Sequence, residues 1–263
     1  MIKCFCGSSK NVSGEVWKIA EIRLKQLEKS FEVSKNRHPV LRQFSTELDT
    51  EKITVILGRS GCGKTTLLRI LAGLEGLDRG EILFEKQEKL GVVFQEPRLM
   101  PWLTLEQNIL FGADKKKYSK KQLKERGEGL LKLTGLEKFG NAYPDQLSGG
   151  MMQRAALGRA LACDASYLLM DEPFAALDHF TRQTMQKEFL RICAEERMGA
   201  LFVTHSVDEA LLLGDEILIM ENGKVGRWFD IGKEMPYPRD LLSEEMINIK
   251  REIVKTLENK PAM

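Results

Sequence analysis

Long hydrophobic runs are missing from this chain. Its longest apolar stretches cover about five or six positions, against the roughly 20 that a membrane-crossing helix needs, so no transmembrane segment is expected and any membrane path must belong to another polypeptide. A dominant charge is missing too. Lys and Arg number 40 against 38 Asp and Glu, a net charge of +2, which gives no bulk field to attract nucleic acid, and no such partner is expected. Cysteine is sparse and odd in number: Cys4, Cys6, Cys62, Cys163 and Cys193. Without a secretory signal these fit a reducing cytoplasm. Cys4-x-Cys6 could be half a metal site, but neither His nor further Cys lies near it in sequence. Residues Met1 to Gly14 have no apolar signal core and no helical or strand period. Residues 1–19 are therefore expected to be a disordered extension or an overlong start. No Asn/Thr-Lys-x-Asp segment occurs, which argues against a guanine-reading GTPase. With 263 residues the chain can bury one sizeable core, or one core with an inserted subdomain.

What is present is a glycine-rich loop, Gly58 to Thr66, after the apolar run Ile53 to Leu57 and before a helix expected over Thr65 to Leu71. Gly58, Gly63, Lys64 and Thr65 satisfy the phosphate-loop pattern G-x-x-x-x-G-K-S/T. Gly58, Gly61 and Gly63 are expected to let the backbone turn so that its amides, including those of Ser60, Cys62 and Thr66, point at phosphate oxygens. The positive helix end lies behind them. Lys64 then reaches the β- and γ-phosphates of a nucleoside triphosphate, and Thr65 offers a hydroxyl to Mg²⁺. Cys62 occupies a freely variable position of the loop and reads as a small residue with a tolerated thiol.

Four more segments follow in order. The strand Gly91 to Phe94 ends in Gln95. Leu147-Ser148-Gly149-Gly150-Met151-Met152-Gln153-Arg154 opens an amphipathic helix to about Cys163. Tyr167 to Pro173 reads as a buried strand that delivers Asp171 and Glu172 at its carboxyl end, where open parallel sheets bind ligands. Ala200 to Thr204 leads into His205, which taken alone could equally cap a strand.

Over roughly residues 20 to 235 the chain resembles the ATP-binding cassette ATPases of ABC transporters. Leu147 to Gln153 is similar to their signature sequence, Asp171 and Glu172 to the Walker B end, Gln95 to the Q-loop, Ala176-Leu177-Asp178 to the D-loop and His205 to the switch histidine. Met152 and Ala175 depart from residues common at those places, and neither position carries a catalytic group. The resemblance implies an α/β P-loop NTPase core with a mainly parallel sheet, an N-terminal antiparallel β subdomain and an inserted α-helical subdomain. It also implies ATP and Mg²⁺ as ligands, with Thr65, Asp171 and Gln95 on the metal and His205 on the γ-phosphate. Glu172, one residue beyond Asp171, is the choice for activating water. Phe31 lies where the family places an aromatic on adenine, although a lone Phe after a strand can also be core packing.

Ser148, Gly149 and Gly150 form a second phosphate-binding device at a helix start. In the family resembled it faces the nucleotide of the opposite subunit, which implies a nucleotide-dependent homodimer in which Asp178 lets the sites sense each other. Phe94 to Thr104, with Pro97 and Pro101, forms a stiff loop whose anchors are expected to be Leu99 and Trp102. It resembles the nitrate, sulfonate and taurine importer subfamily, which also takes up thiamine precursors. That implies a transmembrane permease partner, an extracytoplasmic solute-binding protein acting indirectly, and a place on the cytoplasmic face of the membrane. A soluble ABC-type ATPase of DNA repair or iron-sulfur assembly is the alternative.

The rest of the chain divides around these motifs. An ATPase domain is expected over residues 20–240, with helices inserted over about 98–160. Ile22 to Leu27 and Phe44 to Leu48 alternate with period two as half-exposed strands, separated by an insertion from Glu32 to Pro39. Lys115, Lys116, Lys117, Lys120, Lys121, Lys124 and Arg126 make a basic stretch that could face lipid headgroups or simply be a solvated helix face. Asp208 to Leu213 reads as a helix, Glu216 to Met220 as a strand, and Asn222-Gly223 as a two-residue hairpin turn into Val225 to Phe229. Residues 241–263 are expected to form an amphipathic helix packed by Leu242, Met246, Ile249, Ile253 and Leu257.

Overall fold

A computed structural model describes residues 21–86, 89–233 and 235–258. The expectations for residues 1–19, including Cys4-x-Cys6, and for residues 259–263 lie outside the described residues. Two compact units divide at residues 87/88 and 198/199, so that the first is built from both ends of the described chain and the second from its middle.

The first unit begins with β1 (Glu21–Val33) and β2 (Asn36–Asp49), an antiparallel pair longer than the alternating segments alone suggest. The stretch from Glu32 to Pro39 is no insertion between strands. It continues both of them around a two-residue turn, with Ser34 and Lys35 at φ of 51° and 67°, the left-handed geometry that matches strand twist in tight hairpins. Next come β3 (Ile53–Leu57), α1 (Lys64–Leu71) and β4 (Arg79–Phe84). β4 pairs antiparallel with the other side of β1, giving a three-stranded sheet in the order β2-β1-β4.

Residues 89–198 make the second unit. It contains β5 (Leu90–Val93), α2 (Leu105–Ile109), α3 (Lys120–Leu133), α4 (Gly149–Ala162), β6 (Tyr167–Asp171) and α5 (His179–Glu196). β5 and β6 pair in parallel. The helices share a core of Leu105, Ile109, Leu130, Leu131, Leu136 and Ala155. Contrary to the amphipathic expectation, α4 buries every residue from Ala155 to Ala160, six successive positions that cover all sides of a helix. The basic stretch is partly spent on structure: Lys117 Nζ lies 2.9 Å and Arg126 2.5 Å from Asp164. Lys121 and Lys124 face Glu125 and Glu128 one turn on. That favours a solvated helix face over a lipid-binding one.

Back in the first unit the chain forms β7 (Gly199–Thr204), α6 (Val207–Leu213), β8 (Glu216–Glu221), β9 (Lys224–Asp230) and α7 (Glu244–Glu258). β3 lies between β7 and β8 and is parallel to both, while β9 turns back antiparallel on β8 through Asn222 and Gly223, both at positive φ. β3, β6 and β7 are buried at every position, the continuous apolar pattern of strands covered on both faces. Met246 and Ile253 anchor α7. Leu242 precedes the helix and is 82% exposed, so it is not part of the packed stripe.

Candidate functional site

The helix starts separate one site from all the others. Ser or Thr or Asp caps α2, α3, α4, α5 and α6, its side chain accepting from a first-turn amide. Ser243 does the same for α7 through Met246 N at 3.3 Å. α1 is preceded by Gly63 at φ 109°, which has no side chain to cap with. Its first amides and the positive helix end therefore suit an anion brought from outside.

The loop before α1 holds its shape for reasons the pattern alone does not give. Gly58, expected to serve the turn, does not have a positive φ. It is required instead because a Cβ there would stand 2.5 Å from the Met220 carbonyl oxygen. Gly63 is required first for its left-handed φ, and a Cβ would also stand 3.0 Å from the Val40 carbonyl oxygen. Lys64 is buried at its base, and Nζ donates to the carbonyls of Gly58 at 2.7 Å and Arg59 at 3.1 Å. Burial pushes the Cys62 thiol up, with nearby Lys64 acting against it, so Cys62 stays a thiol. Ser60, Gly61 and Thr65 are exposed and Thr66 is half-buried. A cavity of about 340 Å³ beside the loop is lined by Pro39, Val40, Ser60, Gly61, Cys62 and Leu257, among others. Phe31, across the hairpin from His38, is 37% exposed, with Lys29 Nζ 5.0 Å from its ring centre. Phe31 is thus a surface aromatic and not core packing.

His205 belongs to the same end of the same unit. In the parallel register Leu57 lies opposite Thr204, so Gly58 and His205 leave neighbouring strands at matching positions. Buried Thr204 donates its hydroxyl to Glu209 Oε2 at 2.6 Å and accepts from Ser206 N at 3.1 Å. Ser206 caps α6. His205 sits exposed on the turn these bonds bracket. Thr204→Val keeps the shape and deletes both bonds, one of them to a carboxylate. A loss of about 1.5–3 kcal/mol is expected, to be read by urea denaturation, with an unchanged midpoint as the contrary result.

The second unit brings the remaining groups together in the same manner. Val93 pairs with Met170, so Gln95 and Glu172 each follow two residues beyond adjacent parallel strand positions. Asp171 is buried at the end of β6 and Gln95 is exposed. Glu172 has φ 45°, a left-handed conformation that costs a non-glycine residue about 1–3 kcal/mol and is typically retained at functional sites. Ser148 caps α4, its Oγ accepting from Met151 N at 3.3 Å. Its hydroxyl is therefore not wholly free, but it keeps its own proton to donate from a helix start. A Cβ at Gly149 would meet nothing within 4 Å, and one at Gly150 would lie 3.2 Å from Leu177 Cδ2. That contact brings the start of α4 beside the turn carrying Asp178. Asp178 Oδ1 accepts from Thr181 N at 3.0 Å, and hydrogen bonds from Thr181 hold its carboxyl below the usual range.

Sequence reasoning missed the side chains that brace these turns. Arg182 donates to the carbonyls of Phe174 at 3.2 Å and Leu177 at 2.8 Å, fixing the turn before Asp178. Gln153 holds the backbone just before Gln95, and Arg159 and Asn108 hold the loop after it. The signal for Arg159 was a lone charged side chain in an otherwise apolar helix stretch, whereas Asn108, next to Glu106 and Gln107, carried no such mark.

An uncapped helix start behind a glycine loop and a basic residue, at the carboxyl end of a parallel strand, defines a nucleotide-binding P-loop protein of the α/β class. The ABC transporter family model matches residues 41–175. An uncharacterized ABC transporter ATP-binding protein of Methanocaldococcus jannaschii is 41% identical over 247 residues, covering 91% of this chain and 92% of the relative. An aliphatic sulfonates import ATP-binding protein of Pseudomonas syringae pv. tomato is 44% identical over 223 residues, 84% of this chain and 92% of the relative. Among solved structures, the dimeric post-hydrolysis state of an ATP-binding cassette bound to ADP and Pi matches with TM-score 0.75 at 29% identity, covering 80% of this chain and 98% of that one. The chain belongs to the ABC transporter family, as an ATP-binding subunit with ATPase activity.

Proposed function

We propose that this ATPase energises uptake of a small solute of the sulfonate, nitrate, taurine or thiamine-precursor kind through a separate membrane permease, to which an extracytoplasmic binding protein delivers the solute. The relative named for aliphatic sulfonate import supports the direction and solute class. No helix among the described residues is long and apolar enough to cross a membrane, which is consistent with a peripheral place on the cytoplasmic face.

Lys64 and the amides of Ser60 to Thr66 neutralise the β- and γ-phosphates of ATP, with Phe31 stacking on the base. The residues at hand fit a magnesium ion: Thr65, Asp171 and Gln95 are oxygen donors, the set a hard cation takes. When bound, the ion would supply charge neutralisation to the triphosphate. Glu172 aligns a water and takes its proton as the oxygen attacks the γ-phosphorus, the bond from that phosphorus to the β–γ bridging oxygen breaks and ADP leaves with the electron pair, while His205 donates to a γ-oxygen. Ser148, Gly149 and Gly150 complete the pocket of a second copy, so that two chains enclose two nucleotides and Asp178 links the two sites.

The observation that carries the transport reading is Trp102, 71% exposed on a loop rooted at Gln95. An indole left in water on a rigid loop is a ready anchor for a partner. Leu99, expected to act beside it, packs instead on the helical core. A soluble role in DNA repair or iron-sulfur assembly gives Trp102 nothing to do. Co-expressed with its permease, the chain should sediment with membranes, and Trp102→Ala should move it to the soluble fraction while ATP turnover in solution is retained. Equal membrane recovery of the two proteins would contradict the reading.

A further inference from the structure

The loop from Phe94 to Thr104 has almost no secondary structure, yet it is fastened along its whole length. Gln153, 2% exposed, donates from Nε2 to the carbonyl of Phe94 at 3.1 Å. Arg159 donates from Nη2 to the carbonyl of Pro97 at 2.7 Å and from Nη1 to that of Arg98 at 2.8 Å. Further on, the fully buried Asn108 accepts from Met100 N at 2.7 Å. Its amide donates to the carbonyls of Met100, Leu103 and Thr104 at 3.0–3.1 Å. Gln95 is thus bracketed by carbonyls on both sides that are tied to α4, the helix Ser148 opens.

Arg159 is the unusual member. It is 9% exposed, and its burial lowers its proton affinity. Among the described residues it makes no ion pair. A buried guanidinium without a carboxylate costs several kcal/mol unless its donors are satisfied, and its two charge-assisted bonds go to loop carbonyls. Its planar fork sends a separate N–H to each carbonyl from nitrogens held at a fixed spacing, a two-point geometry that a single lysine ammonium at this position does not reproduce. Arg98, whose carbonyl accepts one of these two bonds, has φ 48°, so the loop is held in a shape its own backbone does not favour.

We infer that Arg159 is a positioning residue that locks the loop carrying Gln95 and Trp102 to the signature helix, so that nucleotide contact at Gln95 and the placement of Ser148 are one movement. This rests on the reading of Gln95 as a nucleotide-contacting residue. On that reading the tie makes the loop and the second copy's phosphate-binding device a single rigid lever, with Trp102 at its outer end.

The test uses the full chain with Arg159→Lys, which keeps the charge but loses the fork, and Arg159→Met, which loses both. Hydrogen exchange of the nucleotide-free protein reads the tie directly. Amides of residues 98–104 should exchange about tenfold faster in Arg159→Lys, the loss of one charge-assisted bond, while β6 and α5 keep their protection. Turnover should fall about tenfold through kcat, with KM for ATP within about twofold, because the nucleotide's own contacts remain. Arg159→Met should exaggerate both effects; should it fail to fold, Arg159→Lys alone decides. Unchanged loop exchange in folded Arg159→Lys overturns the tie. Faster exchange with unchanged turnover overturns its role in coupling. An unsubstituted chain without ATP turnover would instead overturn the functional reading, and the exchange measurement would still decide the tie.

Discussion

Glu172→Gln is expected to lower ATP turnover by about a hundred- to ten-thousandfold, the range for loss of a positioned general base, while ATP still binds. The substitution is nearly isosteric and leaves the backbone at Glu172, φ 45°, in place. It removes only the group that can accept the proton of the attacking water. Phosphate release under saturating ATP measures it. A variant that retains more than about a tenth of the original rate would move the base elsewhere, since general-base loss costs at least about a hundredfold.

The second large effect is expected at Lys64. Its ammonium, buried at the foot of α1, bonds the carbonyls of Gly58 and Arg59, so it shapes the loop besides meeting the phosphates. Lys64→Ala deletes charge-assisted bonds worth about 1.5–3 kcal/mol each. ATP affinity should fall by about ten- to a hundredfold or more, as titration of a fluorescent ATP analogue would show. The remaining amides at the uncapped helix start should preserve weak binding. Unaltered affinity would mean that the triphosphate does not lie on this loop.

Much of this arrangement was legible in the sequence because Gly58, Gln95, Glu172 and His205 each follow an apolar run that forms a strand. β3 was read at its observed bounds, Ile53 to Leu57, and the Asn222-Gly223 turn carries its own chemical mark. The hairpin at Ser34 and Lys35 was not legible. Neither residue is the Gly or Asn that positive φ usually demands, so the strands looked interrupted. α4 was misread for a different reason: Ala and Gly fill its sides past the first turn, and small residues show no strong apolar face although Ala155, Ala156, Gly158, Ala160 and Ala162 are all buried. Gly58 was assigned to the right loop for the wrong cause, because the nearness of Met220 depends on a strand about 160 residues away, which no local pattern shows. Arg159 and Asn108 bond backbone carbonyls, which every sequence offers equally, so their partners appear only in three dimensions.

The claim on which the account turns is that two copies close around ATP, each supplying its Ser148 turn to the other. Size-exclusion chromatography with light scattering on Glu172→Gln, with and without ATP and magnesium, tests it most directly, with Ser148→Arg added as the second arm. The account predicts a monomer without nucleotide, twice that mass with ATP, and a return to monomer when Ser148→Arg blocks the helix start. A monomer under saturating ATP, or a dimer indifferent to Ser148→Arg, would contradict it.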